Sequence, residues 1–250
     1  MLLPAGLVYH QKAVLVANIS RYISRSVSRS TGEGAAESLL DIGAGSLETA
    51  LPLAGMVRRY HAVERDPEVA ERLEKAGLKV TRGAFPLSVP MAGGYDLVLA
   101  SHSVPEDSVA SYLPFLSAAW DLTGEGGTVL VVTFKGSGGD LAAVRQELLG
   151  EAPRKSAELE AIIGFYEGSG GAVAIEQVNS FVEGVRAEDI VAYITPWISG
   201  KSGVRESIRS RFLRIVETRY RVRPDLFIFP TQHLFLSCRK TGAERGAGKG

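Results

Sequence analysis

The chain has 250 residues, enough for one large domain with a substantial insertion or cap. Apolar residues make up 45% of it and charged residues 22%, close to globular averages, which excludes a disordered, collagen-like or disulfide-rich chain. The 28 basic and 28 acidic residues balance, so no overall field recruits nucleic acid or an anionic membrane, and such a partner would need a local patch.

The rarest residue types in the chain indicate its cellular compartment and the kind of organism it comes from. The single cysteine, Cys238, cannot form an intramolecular disulfide, which favours a reducing cytoplasm, and its apolar surroundings predict a buried, inert thiol. No apolar run approaches the ~20 residues that a membrane-spanning helix needs. The few Asn and Met residues favour a thermophilic source, because thermolabile residues are scarce in such proteins.

The first predicted element is an amphipathic helix in an N-terminal cap segment, residues 1–35. Leu15, Ile19, Tyr22 and Ile23 recur at i, i+4, i+7 and i+8, so they would share one buried face. The segment up to residue 32 lacks Asp and Glu and intersperses arginines with serines, which also resembles a mitochondrial transit peptide. We favour the helix.

Between Glu37 and Phe134, short apolar runs alternate with helical patterns, which predicts βαβ units and a parallel sheet. The five predicted strands are SLLDIG, YHAVER, LKVTRG, YDLVLAS and GTVLVVTF. The helix after the second strand has Asp66 as its N-cap, Pro67 at its first position and Gly77 at its end. Pro52 should kink or shorten the helix after the first strand.

Beyond Phe134 the pattern is looser and predicts cap elements within a domain of residues 36–240. We expect the cap at about 136–171 and 186–223, with helices near 140–149, 158–165, 187–198 and 204–220. AVAIEQVNSF and HLFLSCRK are predicted as the sixth and seventh strands, and residues 241–250 as a disordered tail.

The turn after the first predicted strand carries the main functional signal. In Asp41-Ile42-Gly43-Ala44-Gly45, two glycines stand where the backbone must bend tightly and let a ligand approach, which a Cβ would obstruct. Glu64 ends the next strand, 19 residues after Gly45, and an acid near that spacing can accept hydrogen bonds from both ribose hydroxyls. A ribose-bearing cofactor is indicated.

The dinucleotide fingerprint G-x-G-x-x-G fits this turn only in part, because Glu48 occupies the third glycine position. A carboxylate at that helix N-terminus would repel a pyrophosphate, so NAD is disfavoured. S-adenosylmethionine (SAM) carries no phosphate, and its methionine part can lie across the turn. Asp41 then supplies an acceptor close to the ammonium group or its bridging water.

Five segments in order resemble motifs I to V of the class I SAM-dependent methyltransferases. They are LLDIGAG, AVER, GAFP, YDLVLASHS and GEGGTVLVV, between about Ala36 and Phe134. The resemblance implies an α/β fold: a Rossmann-like, seven-stranded, mostly parallel sheet with helices on both faces, plus a helical N-terminal and late-insertion cap. It also implies methyl transfer from SAM, with S-adenosylhomocysteine (SAH) as the product.

The resemblance also implies site residues at the ends of the strands. Those expected to bind the cofactor are Asp41, Gly43, Ala44, Gly45, Glu64, Arg65, Ala84, Phe85 and Ser101. His102 would face the methyl group with Ser101, and it can act as a general base or only orient a loop. The segment Gly83-Ala84-Phe85 departs from the Gly-Asp-Ala of many members, so adenine would rely on backbone contacts and stacking on Phe85.

We expect the methyl acceptor to be a nitrogen or oxygen of a small molecule. One alternative is an RNA or protein methyltransferase that docks through the basic stretch Arg205–Arg223, although this stretch can equally be the solvated face of a packed helix. The fourth motif, Ser-His-Ser-Val-Pro, lacks the Asn/Asp-Pro-Pro-Tyr run of amino-methylating nucleic-acid enzymes. A non-catalytic SAM-binding module is a further alternative.

No metal site is expected. His10, His61 and His233 stand apart from one another and from Cys238, without the short ligand spacings of zinc sites.

Overall fold

The structure is a computed structural model. It describes residues 7–8, 10–27, 37–88, 93–104, 109–136, 138–150, 157–199 and 205–241. The expected domain boundary at residue 35 and nearly all of the expected tail, residues 242–250, lie outside these ranges.

Seventeen helices and strands lie in the described ranges. In chain order they are β1 (Leu7–Val8), α1 (His10–Val27), β2 (Ser38–Ile42), α2 (Leu47–Ala54), β3 (Arg59–Glu64), α3 (Pro67–Lys75), β4 (Val80–Arg82), β5 (Tyr95–Ser101), α4 (Val109–Leu122), β6 (Thr123–Phe134), α5 (Asp140–Leu149), α6 (Ala157–Gly168), β7 (Gly171–Gly184), α7 (Ala187–Ser199), α8 (Glu206–Arg219), β8 (Arg221–Arg223) and β9 (Leu226–Lys240).

One mixed sheet contains all of the described strands, and helices lie on both of its faces. The strand order is β1-β7-β9-β6-β5-β2-β3-β4, and β8 pairs with β9. The ladders from β6 through β5, β2 and β3 to β4 are parallel, whereas β1 is antiparallel to β7 and β8 is antiparallel to β9. This is the predicted α/β class.

The prediction of seven strands is wrong in number. All seven predicted runs are strands, β2 to β7 and β9, but β1 and β8 are additional members of the sheet. They are only two and three residues long. A segment that short shows no alternation of apolar and polar residues by which a sequence could reveal it.

The chain divides into two compact units. The sheet unit consists of residues 15–133, 158–176 and 235–250, and the helical unit of residues 1–14, 134–157 and 177–234. Strands β7 and β9 each contribute residues to both units.

In the sheet unit, β2 is buried at all five positions, and β3 and β5 are buried at most of theirs, as expected for central parallel strands that are covered on both faces. Strand β4 is half-buried to exposed. The four residues predicted to form the buried face of α1 are all buried, which confirms the amphipathic helix: Leu15, Ile19, Tyr22 and Ile23. The start of α3 is also confirmed, because the Asp66 carboxylate accepts hydrogen bonds from the amides of Glu68 and Val69 at 2.9 and 3.2 Å. Helix α2 has only eight residues and contains Pro52.

In the helical unit, α5, α7 and α8 pack around an apolar cluster that includes Val144, Ile190 and Phe212. The arginines of α8 are exposed, and two of them are bonded to α5: Arg219 pairs with Glu147, and Arg211 donates to the Glu147 carbonyl. Helix α8 is therefore a packed helix with a solvated basic face.

None of the helices in the described ranges is both long and apolar enough to cross a membrane.

Candidate functional site

The glycine turn, residues 43–46, leads from the end of β2 into α2. Gly43 and Gly45 have φ angles of +73° and +67°, in the left-handed region that strains any residue with a Cβ. A Cβ built on Gly43 would lie 2.6 Å from the Cβ of Ser103, in the loop after β5. Ala44 is buried between the two glycines, and its carbonyl accepts from the Ser46 amide at 2.6 Å. Gly43 is therefore required both by its conformation and by the neighbouring loop.

The loop after β5 meets the glycine turn because β2 and β5 are adjacent parallel strands. Ser101 ends β5, and His102 follows with a φ of +54°, the only left-handed non-glycine residue in the described ranges. The His102 amide donates to the Val132 carbonyl at 2.8 Å, which holds this conformation. The hydroxyl of Ser103 is buried and has no hydrogen-bond partner among the described residues.

Glu64 ends β3 and is buried, with 6% of its surface exposed. One carboxylate oxygen accepts from the Gly45 amide and the other from the Asp66 amide, both at 2.9 Å. The side chain therefore joins the glycine turn to the start of α3. Because a carboxylate has about four acceptor positions, these two bonds leave capacity for ligand hydroxyls.

Asp41 lies on the same face of the sheet as Glu64. It is beside Ala62 in the parallel ladder, so Tyr60 and Glu64, two residues to either side, project from that face too. The Tyr60 hydroxyl donates to Oδ2 of Asp41 at 2.7 Å. Burial raises the pKa of Asp41 to about 6, the hydrogen bond from Tyr60 opposes this, and the charge of Glu64 adds to it.

The two carboxylates make the site electronegative. Among the described residues, neither Asp41 nor Glu64 forms an ion pair with a lysine or arginine. Glu48 adds a third acid in the first turn of α2. Buried carboxylates without a basic partner favour a cationic ligand and disfavour a pyrophosphate.

The remaining predicted cofactor residues lie in the loops after β3 and β4. Arg65 is exposed immediately after Glu64. The Gly83 amide donates to the Glu64 carbonyl at 2.9 Å, which brings Ala84 and Phe85 to the same edge of the sheet. The Phe85 ring is half-buried and packs edge-on against Phe115 of α4, with ring centroids 4.9 Å apart.

Sequence reasoning misses two residues of this site, Tyr60 and Ser103. Tyr60 precedes Glu64 by four residues, and the two-residue period of β3 could have placed both side chains on one face. Ser103 ends the fourth motif, YDLVLASHS, but its contact with Gly43 depends on the path of a loop, which the motif does not give.

Other reactive side chains are buried elsewhere in their units. His61 is bonded to the hydroxyls of Tyr95 and Thr81, and His233 to that of Ser180. Within the described ranges, no three His, Cys, Asp or Glu side chains are placed to hold a metal ion. Cys238 is buried as predicted, and burial raises its thiol pKa to about 12.

The sequence matches no protein-family model and no curated protein. Solved structures do resemble the chain. A protein of Bacillus halodurans that is named as a candidate methyltransferase has a TM-score of 0.59 at 13% identity, over 90% of this chain and 98% of its own. The YcgJ protein of Bacillus subtilis has a TM-score of 0.58 at 14% identity, over 94% and 100%.

A third similar structure is the plantazolicin methyltransferase BpumL, solved with a pentazolic desmethylPZN analogue and SAH. Its TM-score is 0.52 at 11% identity, over 94% of this chain and 86% of its own. At identities this low, the structural similarity establishes the fold alone. The chain has the Rossmann-like fold of the class I SAM-dependent methyltransferases, as its motifs predict.

Proposed function

We propose that the protein is a SAM-dependent methyltransferase that transfers a methyl group to a nitrogen or oxygen of a small molecule. The observation that carries this proposal is the pair of buried carboxylates, Asp41 and Glu64, beside a glycine turn on a methyltransferase fold. Neither has a basic partner among the described residues, so a cationic, ribose-bearing ligand complements them.

The residues present fit SAM. Its ammonium and sulfonium groups carry positive charge and it has no phosphate to be repelled by Glu48. The backbone of the glycine turn would hold the methionine part, with Asp41 near the ammonium and Glu64 on the ribose hydroxyls. The buried Ser103 hydroxyl, which lacks a partner among the described residues, offers one more hydrogen bond to a ligand.

The adenine would lie near the loops after β3 and β4. Arg65 would flank it, Ala84 would contact it through the backbone, and the exposed part of the Phe85 ring would stack on it. Packing of Phe85 against Phe115 holds the ring in place for such a contact.

When bound, SAM supplies a methyl group on a positively charged sulfur, and transfer to the acceptor leaves the C–S electron pair on the sulfur of SAH. We assign the acceptor's proton to His102, whose imidazole takes it as the new C–N or C–O bond forms. The hydrogen bond from the His102 amide to Val132 fixes the backbone that carries the imidazole.

Two observations support a small acceptor. Among the similar structures, one is named as a candidate sarcosine dimethylglycine methyltransferase of Galdieria sulphuraria, and BpumL was solved with a desmethylPZN analogue. In this chain, Arg211 and Arg219 of the basic stretch are already bonded to α5.

The cofactor assignment is tested by calorimetric titration with SAM, SAH and NAD. We expect SAM and SAH to bind and NAD not to bind. Glu64→Ala should weaken SAM binding by about 1–3 kcal/mol, because it removes charged hydrogen bonds. Glu71→Ala, in the exposed Glu71–Lys75 ion pair of α3, is the matched control and should bind SAM as the wild type does. Binding of NAD without SAM would refute the proposal.

The transfer itself is tested with SAM carrying a radiolabelled methyl group and a fractionated cell extract. We expect label in small molecules and none in RNA or protein. His102→Asn should retain SAM binding, because Asn also tolerates a left-handed backbone, and should lower the rate by about 10²–10⁴-fold if the imidazole is the base. If His102→Asn transfers the methyl group as fast as the wild type, His102 is not the base and only orients the loop.

A further inference from the structure

Tyr60 is a buried residue to which the proposed chemistry gives no role. Its side chain projects from β3 on the face of the sheet that carries Glu64, and its hydroxyl ends 2.7 Å from Oδ2 of Asp41. A bond that short between a phenol and a carboxylate is a strong, charge-assisted hydrogen bond. Burial and the neighbouring carboxylates raise the pKa of Tyr60, so the phenol remains a donor.

The surroundings of Asp41 make this one bond decisive. Tyr60 and Glu64 are the ionisable groups of the described residues that act on its carboxyl, and both come from β3. On the other side, the β5 positions in register with Leu39 and Asp41 are Leu97 and Leu99, which offer no hydrogen bond. Burial and the charge of Glu64 both favour the neutral acid, and the Tyr60 hydroxyl alone favours the carboxylate.

We propose that Tyr60 is the positioning residue that keeps Asp41 ionised and oriented for the cofactor's ammonium group, and that it thereby sets the lowest pH at which the cofactor binds. This inference rests on the proposed function. Tyr60 occupies Oδ2, and among the described residues no donor reaches Oδ1, so that oxygen is available to a ligand.

The direction of the pH effect follows from the charge. Only the ionised Asp41 attracts an ammonium group, so SAM affinity should fall as the pH drops through the pKa of Asp41, about 6. Removing the Tyr60 hydroxyl removes the interaction that lowers this pKa. In Tyr60→Phe the pKa of Asp41 and the midpoint of SAM binding should therefore both move to higher pH, by about one to two units.

Tyr95→Phe is the matched control. Tyr95 is also buried in the sheet, and its hydroxyl bonds Nδ1 of His61 at 3.0 Å. His61 alternates with Tyr60 along β3 and so points to the opposite face. Both variants lose one buried phenol hydroxyl, but only Tyr60→Phe alters the surroundings of Asp41.

The experiment has two measurements. In the ligand-free protein, the carbon-13 resonance of the Asp41 carboxyl is followed from pH 4 to 9 in wild type, Tyr60→Phe and Tyr95→Phe. Calorimetry then gives the SAM dissociation constant between pH 5 and 8.5 for the same three proteins. We expect an upward shift of both midpoints in Tyr60→Phe alone.

The outcomes separate the two hypotheses. If wild type binds SAM but Tyr60→Phe titrates and binds as wild type does, the role of Tyr60 is refuted and the proposed function stands. If wild type binds no SAM at any pH, the proposed function itself fails. Asp41→Asn is an independent check should Tyr60→Phe not fold, since its weakened SAM affinity should no longer vary between pH 5 and 7, where the α-amino group of SAM keeps its proton. A remaining slope would show that another group controls binding.

Discussion

Gly43 and Gly77 both adopt left-handed φ angles, +73° and +84°, but their surroundings differ. A Cβ on Gly77 would meet no atom within 4 Å, whereas one on Gly43 would collide with Ser103. Gly77→Ala should therefore cost only the conformational strain, about 1–2 kcal/mol of the free energy of unfolding. Gly43→Ala should cost about 1–3 kcal/mol more, because it also overpacks the site. Urea denaturation measures both.

A second substitution tests whether contact with Ser103 causes the additional destabilisation of Gly43→Ala. Ser103→Gly removes the atom that the new methyl group would strike, so the Gly43→Ala/Ser103→Gly protein should recover most of the difference between the two alanine variants. If the double variant is as unstable as the sum of its parts, the turn and the loop after β5 are not in contact.

For single residues, the sequence predicts those that belong to local motifs. Gly43, Gly45, Glu64 and the N-cap Asp66 were all recognisable from spacing. The partner of Asp41 was not, because Tyr60 reaches it only through the register of two strands that are separated by a helix. The period of β3 places Tyr60 on the face of Glu64, but one sequence does not give the strand register that brings Tyr60 to Asp41.

Helices α3 and α8 show what can be predicted for whole elements. Asp66 and Pro67 mark the start of α3 chemically, and the helix begins where they predict. Helix α8 has no such cap, because the side chain of its N-cap residue, Arg205, makes no capping hydrogen bond. Its position depends on the burial of Phe212, Ile215 and Val216. The apolar spacing predicts the helix, but its start at Glu206 comes two residues after the predicted one.

The sequence also does not show whether the arginines on α8 form a docking surface or a solvated helix face. A basic stretch can be a docking surface or a solvated face, and composition is the same for both. The contacts of Arg211 and Arg219 with α5 come from residues more than 60 positions away in the chain. Tertiary neighbours therefore account for two of these arginines, and docking through the basic stretch stays a prediction.

For the molecule as a whole, His233 should make stability depend on acid. It is fully buried, its Nε2 is 2.8 Å from the Ser180 hydroxyl, and burial lowers its pKa from 6.5 to about 4. Between pH 6.5 and 4, the unfolded chain therefore binds a proton at His233 that the folded chain does not bind. The stabilisation is complete above pH 6.5 and is lost as the pH falls through 4, which should lower the free energy of unfolding by about 3 kcal/mol.

Asp41 changes the free energy of unfolding with pH in the opposite direction to His233. Its pKa is raised from 3.8 to about 6 in the folded protein, so its contribution is complete below pH 3.8 and is lost as the pH rises through 6. The measurement is therefore made in Asp41→Asn protein, with and without His233→Gln, by urea denaturation at pH 7, 5.5 and 4. Equal losses of stability in the two proteins would assign the acid sensitivity to another group.

Strands β7 and β9 contribute residues to both compact units, and this has a consequence for biosynthesis. Neither unit is a continuous stretch of chain, and each includes part of residues 226–240. During translation, the sheet unit can assemble its parallel strands early, but its share of β9 is made only after α8. Both units therefore reach completion at the ribosome together, and a nascent chain that stalls before residue 226 contains neither in finished form.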